Sequence, residues 1–183
     1  MRKLKGKILP IRYYGDKSLR KATEPVSELT EEIKQFIADL TRTMYEKDGV
    51  GLSAPQVGSS LKIFIVDPFW SQEGKKKNPF VFINPKFLEF KGEISKEEGC
   101  LSFPEIYAKV NRAQNVVIEA LNENWEKIKY EAEDLFSRVL QHEYDHLEGI
   151  LFVDRVSKLK RIVFLKKLQE LEKTTDENGV NIG

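Results

Sequence analysis

The chain has 183 residues, with 30 Lys and Arg against 29 Asp and Glu, 40% hydrophobic and 10% aromatic, a composition that fits one folded domain and excludes a disordered or fibrous chain. Its net charge of +1 excludes a general field for nucleic acid or an anionic membrane and leaves room only for a local basic patch. A single cysteine excludes an intramolecular disulfide, a multi-cysteine zinc ribbon and an iron–sulfur framework, so with two histidines any transition metal the chain binds would draw its cysteine and histidine ligands from Cys100, His142 and His146.

Met1 to Lys7 is basic, but Pro10, Arg12 and Asp16 interrupt any apolar core of a signal peptide. Aliphatic runs such as Ile63 to Val66 are too short to span a bilayer. These features predict a cytoplasmic protein with a reduced thiol. Thr30, followed by Glu31 and Glu32, opens a helix whose face is Ile33, Phe36, Ile37, Leu40 and Met44 and which stops before Gly49. Strands follow over Leu61 to Val66, Phe80 to Asn84, Asn115 to Leu121 and Lys127 to Glu131, with a surface insertion at Ser71 to Asn78 and a turn at Asn122 to Asn124. A second helix begins near Asp134, carries Leu135, Val139, His142 and His146 on one stripe, and stops at Gly149. A third is expected from about Val156 to Lys173, with Val156, Leu159, Ile162, Val163 and Leu168 opposed by Lys158, Lys160, Arg161 and Lys167. Strands grouped between helices predict an α+β fold class: mixed, mostly antiparallel strands around the central second helix, with an N-terminal and a C-terminal helix. Residues 1–173 are expected to form a single domain and 174–183 a flexible polar tail.

Three segments carry chemistry. His142-Glu143-Tyr144-Asp145-His146 is a His-Glu-x-x-His pattern: on a helix, residues four apart share a face, so both imidazoles reach one metal while Glu143 faces a water at the open position. The bland alternative is two histidines packed on a core. Cys100, in Glu98-Gly99-Cys100-Leu101-Ser102, is either a small buried hydrophobe or, with that pair, the third ligand of a Cys-His-His site. Gly49-Val50-Gly51-Leu52-Ser53-Ala54-Pro55-Gln56-Val57-Gly58 lacks the Gly-Lys-Ser/Thr ending of a phosphate loop. It is either a structural turn or a close-approach loop whose Gln56 amide donates to an oxyanion.

In this order the three segments resemble the peptide deformylase family, marked by Gly-x-Gly-Leu-Ala-Ala-Pro-Gln-x-Gly, Glu-Gly-Cys-Leu-Ser and Gln-His-Glu-x-Asp-His. Ser53 stands where Ala is usual. The resemblance implies removal of the N-formyl group from the N-terminal formylmethionine of nascent polypeptides, with release of formate. It implies Fe(II) on Cys100, His142 and His146, which Zn, Ni or Co replaces in purified protein; spacing alone points to zinc. Glu143 is then the general base, and Gln56 with the Leu101 backbone N–H serves the oxyanion. Glu98 and Asp145 are candidate carboxylates behind the ligating imidazoles, with Arg112 a partner for Glu98, the alternative for each being an ordinary surface charge. Val50, Leu135 and Val139 are candidate lining of a methionine pocket or plain core, and the strand edges near Gly51 and Phe103 would pair with the peptide backbone. Some relatives carry Arg where Tyr107 stands. The basic C-terminal helix resembles an extension that docks on the ribosome near the exit tunnel, its alternative being a solvated helix packed on its own domain. DNA and membranes are not expected partners. A zinc endopeptidase would need a downstream third ligand such as Glu170 or Glu172. A structural metal module would need four Cys or His ligands, and the chain has three.

Overall fold

The computed structural model describes residues 5–183, so Met1 to Leu4 of the basic opening segment lie outside the described residues. Helix α1, Glu31–Glu46, starts where Thr30 accepts a hydrogen bond from the Ile33 N–H. Strands β1, Gly51–Ser53, β2, Ile63–Val66, and β3, Phe80–Lys91, follow. Next come β4, Ile94–Cys100, β5, Phe103–Arg112, β6, Asn115–Leu121, and β7, Lys127–Glu133. Helix α2, Asp134–Leu147, ends at Gly149, whose φ of 71° suits a left-handed stop.

Two antiparallel sheets result, one ordered β1-β2-β3-β6-β7 and the other the hairpin β4-β5. The run Ile63-Phe64-Ile65-Val66 is buried at every position because both sheet faces are covered. Ile63 and Ile65 face the cluster with Leu40 and Met44 of α1, whereas Phe64 and Val66 face the cluster with Val139, Leu140 and Leu147 of α2. In β5 the alternation is clean from Ile106 onward, with Ile106, Ala108, Val110 and Arg112 turned inward, and Phe103 is also buried ahead of the irregularity at Glu105. The helix α2 therefore lies between the large sheet and the hairpin, which gives the mixed, mostly antiparallel α+β arrangement. Gln141 locks its position: the side chain accepts from the Ala113 N–H at 3.1 Å and donates to the Ala113 carbonyl at 2.9 Å.

Three sequence expectations change. The β4-β5 hairpin is a full strand pair where the sequence points only to a strand edge near Phe103, because its solvent face is a run of charges. The continuous helix over 156–173 is broken into α3, Lys158–Arg161, a 3-10 turn over Ile162–Phe164, and α4, Leu165–Lys173. The break turns Phe164 into the cluster with Leu19, Phe103 and Phe152, and the adjacent β-branched Ile162 and Val163 hold helix poorly. Val156 and Leu168 are buried as expected, but Leu159, Ile162 and Val163 stand in solvent. Residues 174–183, expected to be a free tail, fold back over Tyr13 to Lys17 through Gly179 and a fully buried Asn181.

Candidate metal centre

Four segments meet in one cleft of about 510 Å³: β1 with its following 3-10 turn, the β4-β5 hairpin, the irregular segment around Tyr13, and α2. The helix brings His142 and His146 to one face, and their ring centroids are 5.1 Å apart. The hairpin brings Cys100. A register shift between Glu98 and Cys100 lets both contribute to the same site, and Gly99 lets the Tyr107 ring pack close, since a Cβ there would lie 2.6 Å from that ring. The donor atoms of Cys100, His142 and His146 lie within 4.8 Å of one another, with Cys100 Sγ 3.3 Å from His146 Nε2.

These residues fit a divalent transition metal. A thiol and two imidazoles are borderline-soft donors suited to zinc or iron. Glu98 Oε2 sits 3.2 Å from His142 Nδ1, so that nitrogen carries the proton and Nε2 keeps its lone pair for a ligand. Burial disfavours the His142 imidazolium, but hydrogen bonds to Cys100 and Glu98 outweigh it and push the group up to about 10 in the metal-free protein. Burial also opposes the charged form of Glu98, yet His142 and Arg112 hold it down to about 2. Burial holds His146 well below the usual histidine range, with the charges of His142 and Arg112 adding to it.

Glu143 is 3% exposed, and its Oε2 has no hydrogen-bond partner among the described residues. Desolvation raises it to about 7 despite the opposing influence of His142, so the carboxyl is poised to take or give a proton near neutrality. Gly51 makes room for it, because a Cβ there would lie 2.5 Å from Glu143 Oε1. Gln56 is buried, its Oε1 accepting from the Ser53 N–H and Oγ–H at 2.9 Å each. That leaves Gln56 Nε2, 3.3 Å from Cys100 Sγ and 3.4 Å from Ser102 Oγ, as a donor toward the cleft. Val50, Gly51, Leu101, Leu135 and Val139 all line the cleft, as does Tyr107, which is 63% exposed.

The residues behind the site are not surface charges. Arg112, with a side chain 1% exposed, grips Glu98 through Nε at 2.8 Å and Nη2 at 2.9 Å and donates from Nη1 to Asp145 at 2.7 Å. Arg155 closes the far side of Asp145. Asp145 is thus taken by two guanidinium groups and not by an imidazole, and His146 Nδ1 has no hydrogen-bond partner among the described residues. Glu170, the alternative third ligand, sits exposed on α4 beside Lys166.

Sequence reasoning missed three contributors. Arg138 lines the cleft and donates to the Glu97 carbonyl at 2.7 Å; its position one turn before His142 on the same face was readable. Ser53 three residues before Gln56 is a capping-box spacing, also readable. Trp70, whose Nε1–H donates to the Gly49 carbonyl at 2.9 Å, gave no local signal.

A buried helix with two imidazoles, a facing thiol and an unpaired carboxyl beside an amide donor defines a mononuclear metallohydrolase centre. The comparisons agree. The profile of the family described as polypeptide deformylase matches residues 8–162. Peptide deformylase from Thermotoga maritima is 42% identical over 165 residues, covering 90% of this chain and 96% of that protein. The crystal structure of a peptide deformylase from Legionella pneumophila superposes with a TM-score of 0.83 at 38% identity, over 91% of this chain and 96% of the other. A plant peptide deformylase structure gives a TM-score of 0.86 at 36% identity, over 93% and 92%. The chain belongs to the peptide deformylase family. It is a metal-dependent hydrolase that removes the N-formyl group from nascent peptides. Among the described residues, no helix is long and apolar enough to cross a membrane.

Proposed function

We propose that this chain deformylates N-formylmethionyl peptides with Cys100, His142 and His146 holding Fe(II), Glu143 as general base, and Gln56 with the Leu101 N–H as donors to the oxyanion. The observation that carries the assignment is the unpaired, buried Glu143 Oε2 in the same cleft as the three converging donor atoms. A divalent ion bound there supplies Lewis acidity that brings the pKa of the attacking water toward neutrality. Glu143 takes the proton of that water as it adds to the formyl carbon and later returns it to the departing amine. Gln56 Nε2 donates to the oxygen on which charge develops, and its own carbonyl is already held by Ser53, so the amide needs no reorganisation to do so. The apolar walls Val50, Leu135 and Val139 receive the methionine side chain, and the open edge of β1 at Gly51 pairs with the peptide backbone, consistent with their lining of the cleft.

The iron assignment rests on the family resemblance, since the donor set suits zinc as well. The enzyme acts in the cytoplasm, where nascent formylated chains are made, and Lys158, Lys160 and Arg161 with the exposed Leu159, Ile162 and Val163 give a face through which it approaches the ribosome near the exit tunnel.

The test is formate release from formyl-methionyl peptides by anaerobically purified, iron-loaded protein. Turnover is expected, with a loss of about a thousandfold in Glu143→Ala. No turnover by native protein with metal confirmed bound would refute the assignment.

A further inference from the structure

The segment Thr174–Gly183 lies outside the family profile, which ends at residue 162, yet it is among the most thoroughly hydrogen-bonded parts of the chain. Asp176 closes a turn by donating its N–H to the Val180 carbonyl at 2.8 Å and accepting from the Val180 N–H at 2.9 Å. The turn delivers Asn181, which is fully buried. Its Nδ2 donates to the Tyr14 and Leu171 carbonyls, both at 2.7 Å, and its Oδ1 accepts from Thr174 Oγ1 at 2.7 Å. Its N–H donates to Asp16 Oδ2 at 2.8 Å, and its carbonyl accepts from the Tyr13 N–H at 2.8 Å. A side chain that spends its whole hydrogen-bonding capacity without water fixes its neighbours in one arrangement.

Those neighbours, residues 12–18, have little regular structure of their own, and their other side holds the turn that carries Gln56. The Arg12 N–H donates to the Gln56 carbonyl at 2.7 Å. Ser18 Oγ–H shares its one proton between two acceptors, Asp16 Oδ1 at 2.7 Å and the Pro55 carbonyl at 3.0 Å. The Tyr14 N–H donates to the Ser102 carbonyl at 3.0 Å, and Ser102 Oγ in turn faces Gln56 Nε2. Residues 12–18 are therefore a layer one chain thick, clamped between Asn181 and the Gln56 turn.

We infer that Thr174–Gly183 is a clasp and that Asn181 is a positioning residue for Gln56, acting through Asp16, Ser18 and Tyr14. The inference rests on the proposed role of Gln56 as oxyanion donor. Removing the Asn181 amide leaves the Tyr14 and Leu171 carbonyls buried without a donor, so residues 12–18 relax and the Gln56 turn loses its outer support. A donor that acts on the transition state and drifts from its place costs kcat and leaves KM nearly unchanged.

The test is a double-mutant cycle of Asn181→Ala with Gln56→Ala, read as kcat and KM for formate release from a formyl-methionyl tripeptide, with metal content and melting temperature measured on each protein. Asn181→Ala is expected to lower kcat about tenfold with KM within about twofold, and to have no further effect in the Gln56→Ala background. Equal losses in both backgrounds, or a loss matched by lost metal, overturn the clasp while the role of Gln56 stands. Gln56→Ala at native activity overturns the role of Gln56 and the clasp with it. Where Asn181→Ala gives no cooperative melting, Ser18→Ala replaces it in the same cycle. That change cuts the bridge to Pro55 and leaves the clasp itself intact, and the same non-additivity is expected.

Discussion

Gly51→Ala separates the geometry of the general base from the integrity of the metal site. The added Cβ would meet Glu143 Oε1 at 2.5 Å and both Cδ and Cγ at 2.9 Å. Unstrained carbon contacts begin at about 3.5 Å, so the carboxyl or the strand must move by about 1 Å. The strand is the stiffer partner: Gly51 is paired with Val66, and the flanking Val50 carbonyl accepts from the Asp67 N–H at 2.8 Å. Gly51 does not occupy the left-handed region, so alanine adds no backbone strain. Glu143 must yield, and it is buried with no solvent to swing into. A shift of about 1 Å in a catalytic group costs about a hundredfold. We therefore expect kcat/KM for formate release to fall about a hundredfold, with bound metal and melting temperature close to native because the three atoms nearest the new methyl group all belong to Glu143. Activity within about threefold of native would refute the placement of Glu143 as the base, since a misplacement of that size cannot be neutral for a proton-transfer group.

Two further outcomes concern stability. Arg112→Leu leaves Glu98 and Asp145 buried with their principal partner gone, and urea unfolding is expected to show a loss of about 3–5 kcal/mol, whereas a loss below about 1 kcal/mol would show the network to be dispensable. Asp154 is the acid-sensitive link. Burial disfavours its charged form, but hydrogen bonds from Arg20 and the Leu151 N–H, with Arg161 nearby, outweigh this and hold it below its ordinary 3.8. A carboxyl depressed on folding contributes stability that is fully present above 3.8 and is lost as pH falls through the folded value. Asp154→Asn should be less stable than native by about 1 kcal/mol at pH 7, and the gap should close below pH 3.8; a gap that stays constant down to the acid limit would contradict the linkage.

Local chemistry was legible in the sequence, and long-range placement was not. The spacing of His142, Glu143 and His146 needs only a helix to become a site, because residues four apart share a face whatever the helix packs against. The Thr30 cap, the stop at Gly149 and the apolar face of α1 are likewise short-range features, and each appears in the structure at the expected residue. Cys100 was different. Its neighbours did not separate a ligand from a buried hydrophobe, and the choice turned on a hairpin whose charged outer face hid it from strand periodicity. Glu98 and Asp145 were equal candidates to back an imidazole; Arg112 and Arg155 take Asp145, and only Glu98 is left against His142.

The chain between 156 and 183 shows the same division. An amphipathic period there predicts a continuous helix, but a period describes a helix in isolation. Phe164 gains more from the cluster with Phe103 and Phe152 than the helix gains from continuity, and the break follows. A polar stretch rich in Asp, Asn and Gly predicts a free end, yet Asn181 finds partners at Tyr13, Tyr14 and Asp16 near the other end of the chain and at Leu171 and Thr174 close by. The sequence by itself determined the family and the placing of His142, Glu143 and His146 on one helix. The approach of Cys100, the carboxylate behind His142 and the hydrogen bonds that tie residues 12–18 to the Gln56 turn were decided by tertiary structure, because each depends on contacts between segments that no local pattern connects.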